Sequence, residues 1–179
     1  MSVLRTIIPI LVAVVAIIAA VTDWRWRRIP NWVTVPGLLL GIAVNTIAQG
    51  WPGARESLLG AGLGLLVLFP FVLIRALGAG DWKLVGAIGA FVGPGSLISV
   101  LVTALLVAGA MALVLVVYKG RFKQMLSNIW KIVFSMLTGH PGTAEVSLDN
   151  PESLKIPFGV AVAVAVVVFV GMRFATQFS

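Results

Sequence analysis

The sequence predicts an all-α protein, a polytopic membrane helix bundle of about six transmembrane helices that forms one membrane-embedded domain over residues 1–179. First, 60% of the residues are hydrophobic and only 11% are charged. Second, the mean hydropathy is +1.09, more apolar surface than a water-soluble domain of this length can bury, so the bilayer must be the solvent for most of the chain. Third, basic residues flank apolar segments. Cysteine is absent, which excludes disulfides, thiolate nucleophiles and cysteine-ligated zinc.

Six apolar segments can be drawn along the chain. The first is too long for a signal-peptide core, and we expect it to be retained as a helix. The fourth is shorter than the ~20 residues of a crossing helix and ends at Gly93-Pro94-Gly95, so it is expected to lean on protein rather than on lipid. Recurring glycines in the third and fourth segments predict close helix packing. The segments are residues 4–22, 32–49, 57–77, 84–95, 97–117 and 156–174.

The lysine and arginine residues predict the orientation. If the loop WRWRR at 24–28 is cytoplasmic, ten of the 13 basic residues fall on the inner side and three on the outer side. This bias predicts that both termini lie outside the cytoplasm. It also explains the net charge of +7 by topology, without nucleic acid as a partner.

The longest polar connection, residues 118–155, contains apolar residues at helical spacing opposite a face that carries Lys119, Lys123 and Lys131. This pattern predicts a basic amphipathic helix on the inner leaflet, in contact with membrane lipid. The alternative is a helix docked on the protein's own cytoplasmic face. A loop rich in turn-forming residues follows it.

Two of the six acidic residues stand at helix ends on the predicted cytoplasmic side, and the other four are expected in loops. Asp23 ends the first segment, and Asp81 precedes the fourth. Each has a structural explanation, because Asp81 is able to cap a helix that begins at Trp82 and Asp23 is able to pair with Arg27. Ionisable groups at membrane helix ends facing a bundle are nevertheless functional candidates.

Two carboxyls within hydrogen-bonding reach hold one proton between them. The ionised carboxylate can take a proton from water while the protonated one polarises a carbonyl, which would hydrolyse a peptide bond without a metal or cofactor. The single His140, with no HExxH motif, argues against a zinc site. Glycines beside Asp81 remove side chains where an extended substrate backbone must approach closely.

Three motifs carry a family resemblance. GAGDWKL at 78–84 matches the GxGD signature of intramembrane aspartyl proteases, with the DxKL extension of type IV prepilin peptidases. Asp23 followed by RRIPN at 27–31 resembles that family's first-aspartate motif, D-x₅-I-P-N, and KIPFGVAVAVA at 155–165 is similar to its final-helix pattern. Together the motifs cover nearly the whole chain in the family's order.

The resemblance implies an inner-membrane aspartic endopeptidase with Asp23 and Asp81 as the catalytic pair. Such an enzyme cuts the leader peptide of pilin-like precursors at the cytoplasmic face, usually after a glycine and ahead of a hydrophobic helix. The short form resembles peptidases of tight-adherence (Flp/Tad) pilus systems, and without a CxxC-bearing amino-terminal region N-methylation is not expected. The residues expected to bind substrate or shape the site are Gly78, Gly80, Lys83, Pro30, Asn31, Pro157 and Gly159.

Some of these roles have alternatives. Lys83 would bind an acidic substrate group or a lipid phosphate, or would act as an inner-leaflet anchor. Pro30 and Asn31 would turn the chain into the second segment or touch substrate. A presenilin-like protease would need a tyrosine beside Asp23 and a Pro-Ala-Leu motif, neither of which occurs. A proton-coupled transporter would carry mid-span acids and inverted repeats, and a structural subunit would tolerate loss of either acid.

Overall fold

A computed structural model describes residues 2–74, 77–120, 130 and 157–177, and within these ranges the regular structure is helical throughout. All five helices are long and apolar enough to cross a membrane, which confirms the predicted all-α membrane bundle. The predicted amphipathic helix and loop lie almost wholly outside the described residues, and the single domain over 1–179 stays a prediction. The helices are α1 (Ser2–Trp26), α2 (Asn31–Gln49), α3 (Trp51–Leu73), α4 (Ala79–Tyr118) and α5 (Phe158–Gln177).

Within the described residues the fourth and fifth predicted segments form one continuous stretch, α4, with no loop between them. Its backbone is broken at Gly93, with φ 75° and ψ 171°, just before Pro94. Side-chain atoms of Val85 and Leu97 both lie within 3.2 Å of the point that a Cβ on Gly64 of α3 would occupy. In a straight helix these two residues would be ~18 Å apart along the axis. The chain therefore turns back at Gly93, between a short segment (residues 79–92) and a long segment (94–118).

The short segment of α4 is the centre of the bundle. Every residue from Leu84 to Phe91 is buried, so this helix is covered on all sides. The helix α4 contacts each of the other four helices. The expectation that this segment leans on protein rather than lipid is confirmed, and its small residues explain how neighbours approach so closely. Gly60 and Gly89, for example, meet backbone to backbone across α3 and α4.

A buried asparagine supports the break in α4. Asn45 of α2 donates from its side-chain amide to the carbonyl oxygens of Ala90 at 2.9 Å and Phe91 at 3.1 Å. Because Pro94 has no N–H, the Ala90 carbonyl lacks the helical donor four residues later. Asn45 supplies the missing donor, which matters most where no water is present to replace it.

One acidic residue lies differently from expectation. Glu56 was placed in a loop, but α3 begins at Trp51, and Glu56 therefore lies inside that helix. Its carboxyl oxygen is 3.3 Å from the Cβ position of Gly93. Glu56 thus belongs to the end of the bundle where α4 turns back, away from Asp81.

Candidate active site

Four helix ends meet at one end of the bundle. They are the carboxyl end of α1 and the amino ends of α2, α4 and α5, and contacts between them join all three sequence motifs. Gly159 of α5 contacts Asp23 of α1, Gly80 of α4 contacts Ile29 in the α1–α2 connection, and Lys83 of α4 contacts Asn31 of α2. Residues of all three motifs therefore lie together at this end of the bundle.

Asp23 lies in the last turn of α1 and is only 6% exposed. Its Oδ2 atom accepts a hydrogen bond from the backbone N–H of Gly159 at 2.9 Å. A peptide N–H bonded to an ionised acceptor is a charge-assisted and therefore strong contact. Arg27 also acts on this carboxylate by its positive charge, in line with the pairing considered from the sequence. The Asp23 carboxyl is thus bonded to the amino end of α5 and lies in the field of a nearby arginine.

Asp81 lies in the first turn of α4, which begins at Ala79 with Gly78 as its N-cap. The structural alternative in which Asp81 caps a helix beginning at Trp82 is wrong, because Trp82 already donates its backbone N–H to the Gly78 carbonyl at 3.2 Å. Instead the Asp81 carboxyl reaches back to the backbone of Gly78, the position of the acidic partner in a capping box. The amino end of α4 also favours a negative charge there.

The two aspartates share one electrostatic environment, since the charge of Asp23 acts directly on Asp81. Ile29 lies between Gly80, which precedes Asp81, and Gly159, which binds Asp23. Its carbonyl oxygen is 2.9 Å from the Cβ position of Gly80, and its Cδ1 is 3.0 Å from that of Gly159. Ile29 belongs to the I-P-N motif, yet sequence reasoning did not single it out, because an aliphatic side chain carries no chemistry. Its place in the motif was the available signal.

Lys83 and Asn31 form a contact that the sequence did not indicate. The Lys83 ammonium donates to Oδ1 of Asn31 at 2.9 Å, which joins α4 to α2 beside the carboxyls. Asn31 opens α2, and the preceding Pro30 is the N-cap with φ −75° and ψ 151°. The Pro30 carbonyl accepts the backbone N–H of Val33 at 3.1 Å, as expected for a turn into the second helix.

The remaining predicted residues surround Asp23 and Asp81. Pro157 is buried and its carbonyl accepts the backbone N–H of Val160 at 3.1 Å, which opens α5 just before Gly159. A Cβ on Gly159 would lie 3.0 Å from Asp23 Oδ2, and one on Gly78 would lie 2.9 Å from Asp81 Oδ2. Both glycines therefore keep space beside a carboxyl. Among the described side chains, no cluster of three or more His, Cys, Asp or Glu groups could hold a metal ion.

Comparison with known proteins gives two matches. Residues 10–116 match the Type IV leader peptidase family. The chain is also 32% identical over 123 residues to the prepilin leader peptidase/N-methyltransferase of Myxococcus xanthus (strain DK1622). That match covers 64% of this chain and 36% of the relative, so the chain spans little more than a third of the relative's length. No solved structure matches. Because the family match covers more than half of the chain and includes both Asp23 and Asp81, the chain belongs to the Type IV leader peptidase family.

Proposed function

We propose that this protein is a membrane aspartic endopeptidase that removes the leader peptide from type IV or Flp pilin-like precursors, with Asp23 and Asp81 as its catalytic pair. One observation carries the proposal. In a chain of the leader peptidase family, two carboxyls 58 positions apart in sequence lie at the same end of the bundle and interact electrostatically.

In the proposed reaction, one aspartate is ionised and the other is protonated. The ionised carboxylate takes a proton from water as the water oxygen attacks the carbonyl carbon of the scissile bond. The protonated carboxyl gives its proton to the carbonyl oxygen, forming a tetrahedral intermediate. The carboxyl that took the proton from water then gives it to the amide nitrogen, a hydroxyl of the intermediate returns a proton to the other carboxylate, and the C–N bond breaks. The hydrogen bond from Gly159 to Asp23 and the contact of Asp81 with Gly78 would orient the two carboxyls for these steps.

We place the site at the cytoplasmic face of the inner membrane, with both termini outside the cytoplasm. The segment that follows Asp23 supports this placement. Trp24, Trp26 and Trp32 are 68%, 61% and 64% exposed at the same end of the bundle as the carboxyls, and Trp24 and Trp26 adjoin arginines. Interfacial tryptophans with adjacent arginines are typical of the cytoplasmic boundary of a membrane protein. A site at this depth would meet a leader peptide in water and its following helix in lipid.

The position of the acids favours a peptidase over a proton-coupled transporter. Asp23 lies in the last turn of α1 and Asp81 in the first turn of α4, so neither is at the middle of a span. A transporter site is expected near the midplane, at broken helices related by repeat symmetry. The break in α4 at Gly93 lies at the other end of the short segment, far from both carboxyls.

The decisive experiment is co-expression with candidate pilin precursors, followed by mass spectrometry of the products. The proposal expects one cleavage just before the hydrophobic helix of the precursor, in membranes that contain this protein and in no others. Reconstitution of purified protein with the precursor in liposomes should reproduce the cleavage. A purified protein that leaves every tested precursor intact, including Flp-type ones, would contradict the proposal.

A further inference from the structure

Trp82, which follows Asp81 in the first turn of α4, is anchored to α3. Its indole N–H donates a hydrogen bond to the Leu65 carbonyl oxygen at 2.6 Å. Its ring packs against Phe69, with the ring centroids 5.9 Å apart and the planes tilted by 43°. Trp82 is half-buried, and the sequence indicated it only as a residue of the GAGDWKL motif and as one candidate for the first residue of a helix. The side chain is thus held through both its polar edge and its apolar face.

We propose that Trp82 is a positioning residue that fixes the direction of the Asp81 carboxyl, an inference that rests on the proposed function of Asp81. Successive residues of a helix are rotated by ~100° about its axis. Asp81 and Trp82 therefore point in different directions from the same turn. Holding the indole on α3 fixes the rotation of that turn, and with it the direction of the neighbouring carboxyl.

The other contacts of this turn constrain it less. The close contact between Gly80 and Ile29 sets a minimum distance between α4 and the α1–α2 connection, but it supplies no hydrogen bond that would hold them together. The bond between Lys83 and Asn31 joins two flexible side chains, and the lysine stem alone has four rotatable carbons. A rigid indole bonded to a backbone carbonyl inside a helix has far less freedom. It is therefore the contact best able to fix the rotation of the first turn of α4 about the helix axis.

The acceptor of this bond is itself fixed. Leu65 lies within α3, and its side chain packs against Gly86 of α4, with Cδ2 2.8 Å from the Cβ position of that glycine. A carbonyl oxygen has two lone pairs, so Leu65 can accept the indole N–H in addition to a helical partner. The α3 helix therefore holds the short segment of α4 at two successive turns. Rotation of the Asp81 turn would require breaking this contact.

The first test compares kinetics of Trp82→Phe with wild type. Phenylalanine keeps a ring for Phe69 and removes the N–H donor. We expect kcat to fall about tenfold with KM within about twofold, because small misplacements of a reacting group are costly. Trp51→Phe is the matched control, since Trp51 is 76% exposed at the opposite end of the bundle, and it should retain wild-type kinetics. Phe69→Leu removes the ring contact but keeps the N–H, and its kcat should fall clearly less than that of Trp82→Phe.

The second test measures geometry without activity. The chain has no cysteine, so Asp23→Cys combined with Asp81→Cys creates a unique thiol pair. In membranes, a short bifunctional thiol reagent should cross-link this pair rapidly. Adding Trp82→Phe should slow the cross-linking, whereas adding Trp51→Phe should not. Thermal unfolding in detergent would verify that each variant is folded.

The outcomes separate the two proposals. Lower kcat together with slower cross-linking in Trp82→Phe supports the positioning role. An unchanged cross-linking rate overturns it, and so does a loss of kcat in Phe69→Leu as large as that in Trp82→Phe. If the wild type cleaves no precursor, the proposed function fails, and the cross-linking comparison alone decides whether Trp82 sets the position of residue 81.

Discussion

The backbone N–H of Gly159 donates a hydrogen bond to the Asp23 carboxylate at 2.9 Å, across 136 positions of sequence. The contact ties α5 to the end of α1 and brings the last of the three motifs to the first aspartate. The motif contributes through its main chain. A glycine at this position leaves the space that a side chain would take from the carboxyl, since a Cβ on Gly159 would lie 3.0 Å from Asp23 Oδ2.

Gly159→Ala should therefore reduce cleavage strongly. The new Cβ would lie 3.0 Å from both Asp23 Oδ2 and Ile29 Cδ1, so the carboxyl must move or α5 must retreat. We expect kcat to fall about 10- to 100-fold, measured on a purified precursor in liposomes. Gly171→Ala is the control on the same helix, because its Cβ would meet nothing within 4 Å. Equal activity of both variants would show that the Gly159 contact is dispensable.

Asp23→Asn and Asp81→Asn should each abolish cleavage while the protein stays folded in the membrane. Asparagine keeps the shape of the side chain but cannot exchange the proton, and we expect a loss of at least about 1000-fold. Glu56→Gln provides the matched control, because Glu56 lies near Gly93 at the other end of the short segment. Wild-type cleavage by either asparagine variant would refute the catalytic pair.

Gly80→Ala should impair the site by displacing Asp81. Its Cβ would lie 2.9 Å from the Ile29 carbonyl oxygen and 3.3 Å from the Ile29 nitrogen, backbone atoms that cannot turn aside. We expect kcat to fall about tenfold or more, together with lower thermal stability. Gly109→Ala in the long segment of α4 has open space at its Cβ and should behave as wild type in both measurements.

Asn45→Ala should lower the free energy of unfolding by about 1–3 kcal/mol, because the Ala90 and Phe91 carbonyls would lose a donor inside the bundle. Chemical denaturation in mixed micelles would measure the change. The control is Thr46→Ala, since Thr46 is exposed and its hydroxyl bonds only the Ile42 carbonyl of its own helix, at 2.6 Å. A change below about 0.5 kcal/mol for Asn45→Ala, the range of an ordinary surface substitution, would contradict the proposed support of the break.

Asn31→Ala and Lys83→Met should affect activity non-additively. Both changes remove the same 2.9 Å hydrogen bond, so the double variant should be little worse than the more damaging single one. A double-mutant cycle on kcat/KM would measure this coupling. If the two effects simply add, each residue acts independently, and Lys83 would then contact substrate or lipid rather than secure the site through Asn31.

The bundle and both aspartates could be predicted because each left a direct mark in the sequence. Apolar length identifies spans, lysine and arginine identify a side, and a carboxylate at a helix end in so apolar a chain is conspicuous. The Gly93-Pro94 pair likewise marked a break in α4. It did not show that the two segments are joined by a turn at one non-helical residue, because a glycine-proline pair is equally compatible with a longer loop between two spans.

Ile29 and Trp82 were missed for a different reason. Both contribute by packing or by a bond to a backbone carbonyl, and such contacts depend on which helices become neighbours. Asp81 also remained a candidate N-cap because aspartate is preferred at that position, whereas here Gly78 takes it and Asp81 lies in the first turn. A preference for one residue type at the N-cap cannot decide which of several neighbouring residues begins the helix.

The complete burial of residues 84–91 has a consequence for biogenesis. The short segment extends only ~21 Å, against a hydrocarbon layer of ~30 Å, so a translocon would have little reason to release it into lipid alone. We expect it to leave the insertion channel only together with the segment beyond Gly93, as a hairpin that docks on helices already assembled. The helix that carries Asp81 would then be among the last parts of the protein to reach its place.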